Sequence, residues 1–172
     1  MSEIRRATGD DIAALNALIE SAYRGDSAKA GWTHEADLLG GQRTDAAALA
    51  DMIASDDQVI LLIEEDRAPT GCVHVTVKRD GLAYLGLLTV SPRRQAAGLG
   101  RQLLEAAEAE AHARDCDCIE MTVIAQRSEL IAWYDRRGYA LTGERRPFPL
   151  DDPRYGVPTT RDLEFVVMAK PI

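Results

Sequence analysis

The segment Val90-Ser91-Pro92-Arg93-Arg94-Gln95-Ala96-Ala97-Gly98-Leu99-Gly100-Arg101 constrains this chain more than any other. Leu82 to Val90 is mostly apolar and reads as a central strand. Ser91 to Ala97 reads as a loop, and Gly98 opens a long helix to about Arg114, with Leu99, Leu103, Leu104 and Ala107 on its buried stripe. A loop that feeds a strand straight into a helix leaves the first helical N–H groups without intrahelical partners, and the helix dipole adds partial positive charge there. The product is an anion site, best suited to a pyrophosphate. Glycine lets a phosphate approach the backbone and can adopt positive φ. Gly98 and Gly100 are also compatible with nothing more than close helix–strand packing. A dinucleotide fold would need G-x-G-x-x-G, and position 103 is Leu; a Walker loop would need Gly-Lys-Ser/Thr, which does not occur.

The rest of the chain is organised around this unit. Residues 3–6 form a short predicted strand. Asp10 or Asp11 caps a helix to about Tyr23, with Ile12, Leu15, Leu18 and Ile19 on one face. Residues 24–44 read as a loop or irregular helix, and Asp45 to Ala54 as a second helix. Residues 58–63 are an apolar β-rich run, Ala68-Pro69-Thr70-Gly71 a turn, and Val73, Val75 and Val77 alternate with His74, Thr76 and Lys78 as in a half-buried strand. Asp80-Gly81 is a hairpin signal. Ile119, Met121 and Val123 mark another strand, Ser128 to Arg137 a short helix stopped by Gly138, residues 139–142 a short strand, Arg145 to Thr160 a loop, and Leu163 to Met168 a last strand. The order is α+β with a β–loop–α–β–α–β centre, in a single domain spanning 1–172.

Composition narrows the function class. The 172 residues carry a net charge of −8, which speaks against a nucleic-acid binder and, on the acceptor side discussed below, favours a cationic or zwitterionic molecule. No apolar run approaches the ~20 residues of a membrane helix, and the N-terminus carries no apolar signal region, so a cytoplasmic protein without membrane contact is expected. Three cysteines do not suggest a disulfide framework. Cys116-x-Cys118 has no second pair and reads as two small thiols at a strand start, so no metal is expected.

Gln95-x-x-Gly98-x-Gly100, behind a strand ending at Val90 and with Pro92 three residues upstream, resembles the Q/R-x-x-G-x-G/A signature of the GNAT N-acetyltransferases. About thirty residues on, Leu130-Ile131-Ala132-Trp133-Tyr134-Asp135-Arg136-Arg137-Gly138-Tyr139 is similar to that family's second motif, a helix with an aromatic pair followed by Gly-Phe or Gly-Tyr. The resemblance covers nearly the whole chain. It implies the acyl-CoA N-acyltransferase fold: a mixed, mostly antiparallel sheet of six to seven strands, splayed between residues 82–90 and 118–124, with about four flanking helices in an α/β three-layer arrangement. It implies acetyl-CoA in the cleft, its pantetheine arm along the backbone of Leu88, Thr89 and Val90. The amides of Gln95, Ala96, Ala97, Gly98, Leu99, Gly100 and Arg101 would hold the pyrophosphate. Two positions depart from the family: Arg127 stands where Asn is frequent, and reads as a solvated arginine or as one reaching a phosphate; Ala96 and Ala97 replace a basic residue or Gly.

The implied reaction moves an acetyl group from acetyl-CoA to a primary amine, on a small molecule or peptide, by direct transfer in a ternary complex. A phenol, with pKa about 10, is protonated at neutral pH and can donate to the departing thiolate, whose thiol has pKa about 8.5. By resemblance Tyr134 is this general acid; the alternative is a core aromatic beside Trp133. A backbone N–H of the fourth strand, that of Val90, would meet the oxyanion. Glu120 alternates away from Ile119, Met121 and Val123 and can remove the amine's proton through a water, or serve as an ion-pair partner. His34, Glu35 and Asp37 are other candidates for the base. The acceptor would lie among Tyr23, Arg24, Trp32, His34, Glu35 and Arg43 on one side and Arg145, Arg146, Phe148, Arg154 and Tyr155 on the other. The alternative function is a non-catalytic acyl-CoA-binding module with the same fold. Monomer and homodimer remain open.

Overall fold

In the computed structural model, residues 3–24, 39–40, 43–94, 97–152 and 156–172 are described. Strand β1 (Glu3–Arg6) leads through a 3-10 turn (Gly9–Asp11) into α1 (Ile12–Tyr23). Then come β2 (Leu39–Gly40), α2 (Ala46–Ala54), β3 (Gln58–Glu65), β4 (Ala68–Val77), β5 (Leu82–Val90), α3 (Leu99–Ala113), β6 (Cys118–Ile124), α4 (Ser128–Asp135), β7 (Ala140–Pro147), β8 (Val157–Pro158) and β9 (Glu164–Pro171). Seven strands form one sheet in the order β1-β3-β4-β5-β6-β9-β7, antiparallel throughout except for β5–β6. A two-stranded ribbon, Leu39 opposite Pro158 and Gly40 opposite Val157, ties together the two segments assigned above to the acceptor side. This is the mixed, three-layer α+β sheet expected, with four α-helices among the described residues.

The layers follow from the apolar pattern. Leu99, Leu103, Leu104 and Ala107 of α3 pack with Val73, Val75, Leu85, Met121 and Tyr134 on one face of the sheet. Leu15, Leu18 and Ile19 of α1 and Leu49 of α2 pack with Ile60, Leu62, Cys72 and Leu87 on the other. Asp45 caps α2 by accepting from Ala48 N–H at 2.8 Å. Among the described residues no helix is long and apolar enough to cross a membrane.

Four local expectations are corrected. The turn is at Asp66 and Arg67, both at positive φ, rather than at residues 68–71. Pro69 belongs to β4 and sits beside a bulge, where a missing N–H is tolerated. β4 is buried on both faces from Gly71 to Val75, because helices cover the sheet on both sides there. Asp11 does not cap α1 with its side chain; its carboxylate pairs with Arg5 at 2.9 Å and accepts from Thr8 N–H at 2.7 Å. β7 runs to Pro147 instead of ending near 142. It is an edge strand paired only to β9, almost wholly exposed and bulged between Leu141 and Arg145, so no alternation in its sequence announces it.

Candidate active site

β5 and β6 pair at only three positions: Leu82–Cys118, Ala83–Ile119 and Tyr84–Glu120. Beyond Tyr84 the strands part. A bulge in β5 helps to drive the separation. Cys72 faces Thr89 and His74 faces Gly86, so Val73 is opposed by both Leu87 and Leu88, and Leu87 takes a φ of +49°. An extra residue in one strand bends it and sharpens its twist. Ser91 N–H donates to Thr70 C=O at 2.8 Å, so by alternation the backbone groups of Leu88 and Val90 point away from β4, into the opening. The Leu88 carbonyl accepts the Tyr23 hydroxyl at 2.6 Å, which fastens the end of α1 to the rim of the cleft.

The cleft has two chambers. The narrower is about 240 Å³ and is walled by Leu88, Thr89, Val90, Gly98, Gly100, Arg101, Trp133, Tyr134 and Arg137, among others. Gly98 is the N-cap of α3 in the left-handed region, φ +80°, and a Cβ there would meet nothing within 4 Å among the described residues. Among the described residues the space beside the helix N-terminus is open, next to the amides of the first turn and two arginines. Gly100 does a different job: a Cβ on it would stand 3.4 Å from Trp133 Cζ2 and 3.7 Å from Val90 Cγ2. Gly98 thus leaves its Cβ position open, while Gly100 lies within ordinary contact distance of Trp133 and Val90. The Arg137 guanidinium lies 3.7 Å from the centre of the Trp133 ring and donates to the Trp133 carbonyl at 2.8 Å.

The wider chamber, about 590 Å³, opens on the face of the sheet carrying Tyr84 and Thr122, whose hydroxyls are 2.6 Å apart. Tyr23, Leu88, Arg127, Leu130 and Tyr134 line both chambers. Tyr134 is 5% exposed and packs edge-on against Trp133 and Tyr139. Burial pushes its phenol well above its ordinary range, the nearby Tyr23 adds to this and Arg127 opposes it, so Tyr134 is a protonated donor at neutral pH. Among the described residues its hydroxyl has no hydrogen-bond partner.

Of the residues expected at the cofactor, Leu88, Thr89, Val90, Gly98, Gly100 and Arg101 line the narrow chamber. Leu99 buries its side chain in the core, so it has only backbone to offer, and Ala97 N–H donates to Arg94 C=O at 3.4 Å. Gln95 and Ala96 lie outside the described residues, as do Trp32, His34, Glu35, Asp37, Arg154 and Tyr155. Glu120 is 8% exposed and places Oε1 3.4 Å from Lys78 Nζ and 3.3 Å from Arg146 Nη2. Arg145 points away from both chambers and pairs with Glu164 at 3.5 Å. Arg127 is not a solvated arginine: it is 6% exposed and stands where the chambers meet, because the loop after β6 turns inward before α4 begins. Sequence reasoning did not single out Lys78, although its place after Val77 put it on the face of His74 and Thr76. The contact of Tyr23 with Leu88 had no signal in the sequence.

The model of the Acetyltransferase (GNAT) domain matches residues 32–148, more than half of the chain. This chain therefore belongs to the GNAT acetyltransferase family. Among solved structures, the ribosomal-protein-S18-alanine N-acetyltransferase of Escherichia coli superposes with a TM-score of 0.74 at 19% identity, covering 100% of this chain and 94% of that one. The ribosomal-protein-alanine N-acetyltransferase of Brucella melitensis gives 0.73 at 20% identity, with 99% of each chain covered. Salmonella typhimurium yncA, solved with its cofactor acetyl-CoA, gives 0.71 at 21% identity, covering 99% and 93%. At such identities the likeness is one of fold. No match is found among curated protein sequences.

Proposed function

We propose that this protein transfers an acetyl group from acetyl-CoA to a primary amine in a ternary complex. The observation that carries the reading is the position of Tyr134, a protonated phenol lining both chambers. The narrow chamber fits the cofactor. The first-turn amides of α3, the open space at Gly98 and the flanking Arg101 and Arg137 suit the phosphates, and the Leu88 and Val90 backbone suits an extended amide-bearing arm. Acetyl-CoA supplies the activated thioester.

The chain's residues would do the rest. Outward-facing amides at the end of β5 stabilise the oxygen that becomes negative as the amine adds. Tyr134 gives its proton to the sulfur as the C–S bond breaks, and recovers one from solvent. The proton lost by the amine passes to water or, along a chain of waters, to Glu120, which lies behind Lys78 and Arg146. Among the described residues Glu120 Oε2 has no hydrogen bond, so it is the oxygen available for this. The two cations on Oε1 favour a second reading, in which Glu120 is a fixed counter-ion that holds Lys78 and Arg146 in place.

Thiol release from acetyl-CoA over a panel of amines tests the activity. Amine-dependent release supports the reading. Acetyl-CoA that raises thermal stability without any release would identify a non-catalytic acyl-CoA-binding module instead.

A further inference from the structure

The protein is acidic overall, yet the wide chamber is lined by Arg24, Arg43, Lys78, Arg127 and Arg146, and by no Asp or Glu among the described residues. Two of these cations stand at the end where β5 and β6 still pair, Tyr84 opposite Glu120. Lys78, just beyond β4, and Arg146 of β7 converge on the buried Glu120, at the level of Tyr84, and keep 42% and 33% of their side-chain surface exposed. Their donors are not used up. Among the described residues Lys78 Nζ makes a single hydrogen bond, at 3.4 Å to Glu120, and lies 4.9 Å from the centre of the Tyr84 ring. Arg146 uses Nε and Nη2 on Glu144 and Glu120, and among the described residues Nη1 makes no bond. A group with lone pairs and negative charge entering here meets an ammonium and one edge of a guanidinium.

The spacing adds a constraint. Tyr84, opposite Glu120, precedes Leu88 by four residues, on the order of 10 Å along a bulged strand. We propose that the acceptor is a small-molecule amine carrying an anionic group, a carboxylate or a phosphate, several bonds from its nitrogen, and that Lys78 and Arg146 bind that anion. The proposal rests on the acetyltransfer reading of the cleft.

The test compares glycine, γ-aminobutyrate and ε-aminocaproate with alkylamines of matched length, and adds an aminoalkyl phosphate to separate the two anions. The expected kcat/KM for the longer amino acids exceeds that of the matched alkylamine by at least tenfold, about 1.4 kcal/mol. Lys78→Met and Arg146→Met bring this ratio towards unity through KM, and added salt lowers it. Arg6→Gln, a loss of the same charge at the opposite sheet edge, leaves the ratio unchanged. A parallel calorimetric titration of ε-aminocaproate and the aminoalkyl phosphate into enzyme saturated with coenzyme A reads binding without turnover. If no amine is acetylated, the acetyltransfer reading fails, and the titration still decides. Binding of either anionic amine that weakens in Lys78→Met supports the anion site; binding insensitive to both substitutions, or none, overturns it. A kcat/KM ratio that favours the uncharged-tail amines overturns it as well.

Discussion

At its narrow end the cleft sets backbone beside aromatic and arginine side chains: the outward face of β5 from Leu88 to Val90, Gly98 held left-handed at a helix start, and Gly100 against Trp133. At its wide end the walls are side chains, aromatic and cationic, brought in by α1, β4, β6 and β7. A backbone site is fixed by fold and tolerates sequence change as long as the glycines remain. A side-chain site is rewritten by single substitutions. The difference teaches where this chain keeps its chemistry general and where it becomes particular.

The hinge between the ends is Tyr134, and removing its hydroxyl has the largest expected effect. Tyr134→Phe keeps the ring against Trp133 and Tyr139, so stability and acetyl-CoA affinity change little, while kcat falls about 10²–10⁴-fold where chemistry limits turnover. Turnover within about twofold of the parent, measured by thiol release with a working amine, would make Tyr134 a packing residue.

At the narrow end, Gly100→Val forces γ-carbons towards Trp133 and into the chamber. Acetyl-CoA affinity should drop at least tenfold, about 1.4 kcal/mol, in a protein that still melts cooperatively. Unchanged affinity by calorimetry in the folded variant would remove this chamber as the cofactor site. At the wide end, Glu120→Gln separates two roles. A counter-ion to Lys78 and Arg146 shows itself as a several-fold change in acceptor KM with the pH profile of kcat intact. A proton acceptor shows itself as loss of the acidic limb of that profile with a fall in kcat.

The legibility of the two ends differed in the same way. The strand–loop–helix around Gly98 was plain from residue types, because backbone chemistry leaves its mark as glycine and apolar periodicity. Tyr23, Arg24, Arg43, Arg146 and Phe148 could be assigned to the acceptor region only by resemblance, and Lys78 was passed over. The burial of Arg127 was invisible, since an arginine before a helix is ordinarily solvated. Net charge pointed away from a cationic chamber, because bulk charge says nothing of how cations cluster. The bulge at Leu87, which opens the cleft, follows a lone glycine inside the strand, Gly86, a signal that the sequence reading left unused.

A separate expected effect, on stability and not on turnover or binding, comes from beneath the wide end. His74, under the wide chamber beside Gly86, is 8% exposed and bonded to Gln58 at 2.8 Å. Burial first, and then the charge of Arg43, lowers its pKa to about 4. The unfolded chain takes up that proton near pH 6.5 and the folded one only near 4. The contribution is therefore whole above pH 6.5, declines as pH falls, and levels off below about 4, for a total of up to about 3 kcal/mol. Asp11, lowered to about 2 chiefly by its hydrogen bond with Arg5, acts in a separate window at lower pH. Denaturant midpoints between pH 7 and 4 should fall less in His74→Gln than in the parent; parallel curves would remove His74 from the account.

The division of the cleft itself is tested most directly by amide hydrogen exchange with and without acetyl-CoA. The account predicts slower exchange at residues 88–90 and 97–101, with residues 76–86 unchanged until an amine is added. Protection confined to residues 76–86, or none at 97–101, would contradict it.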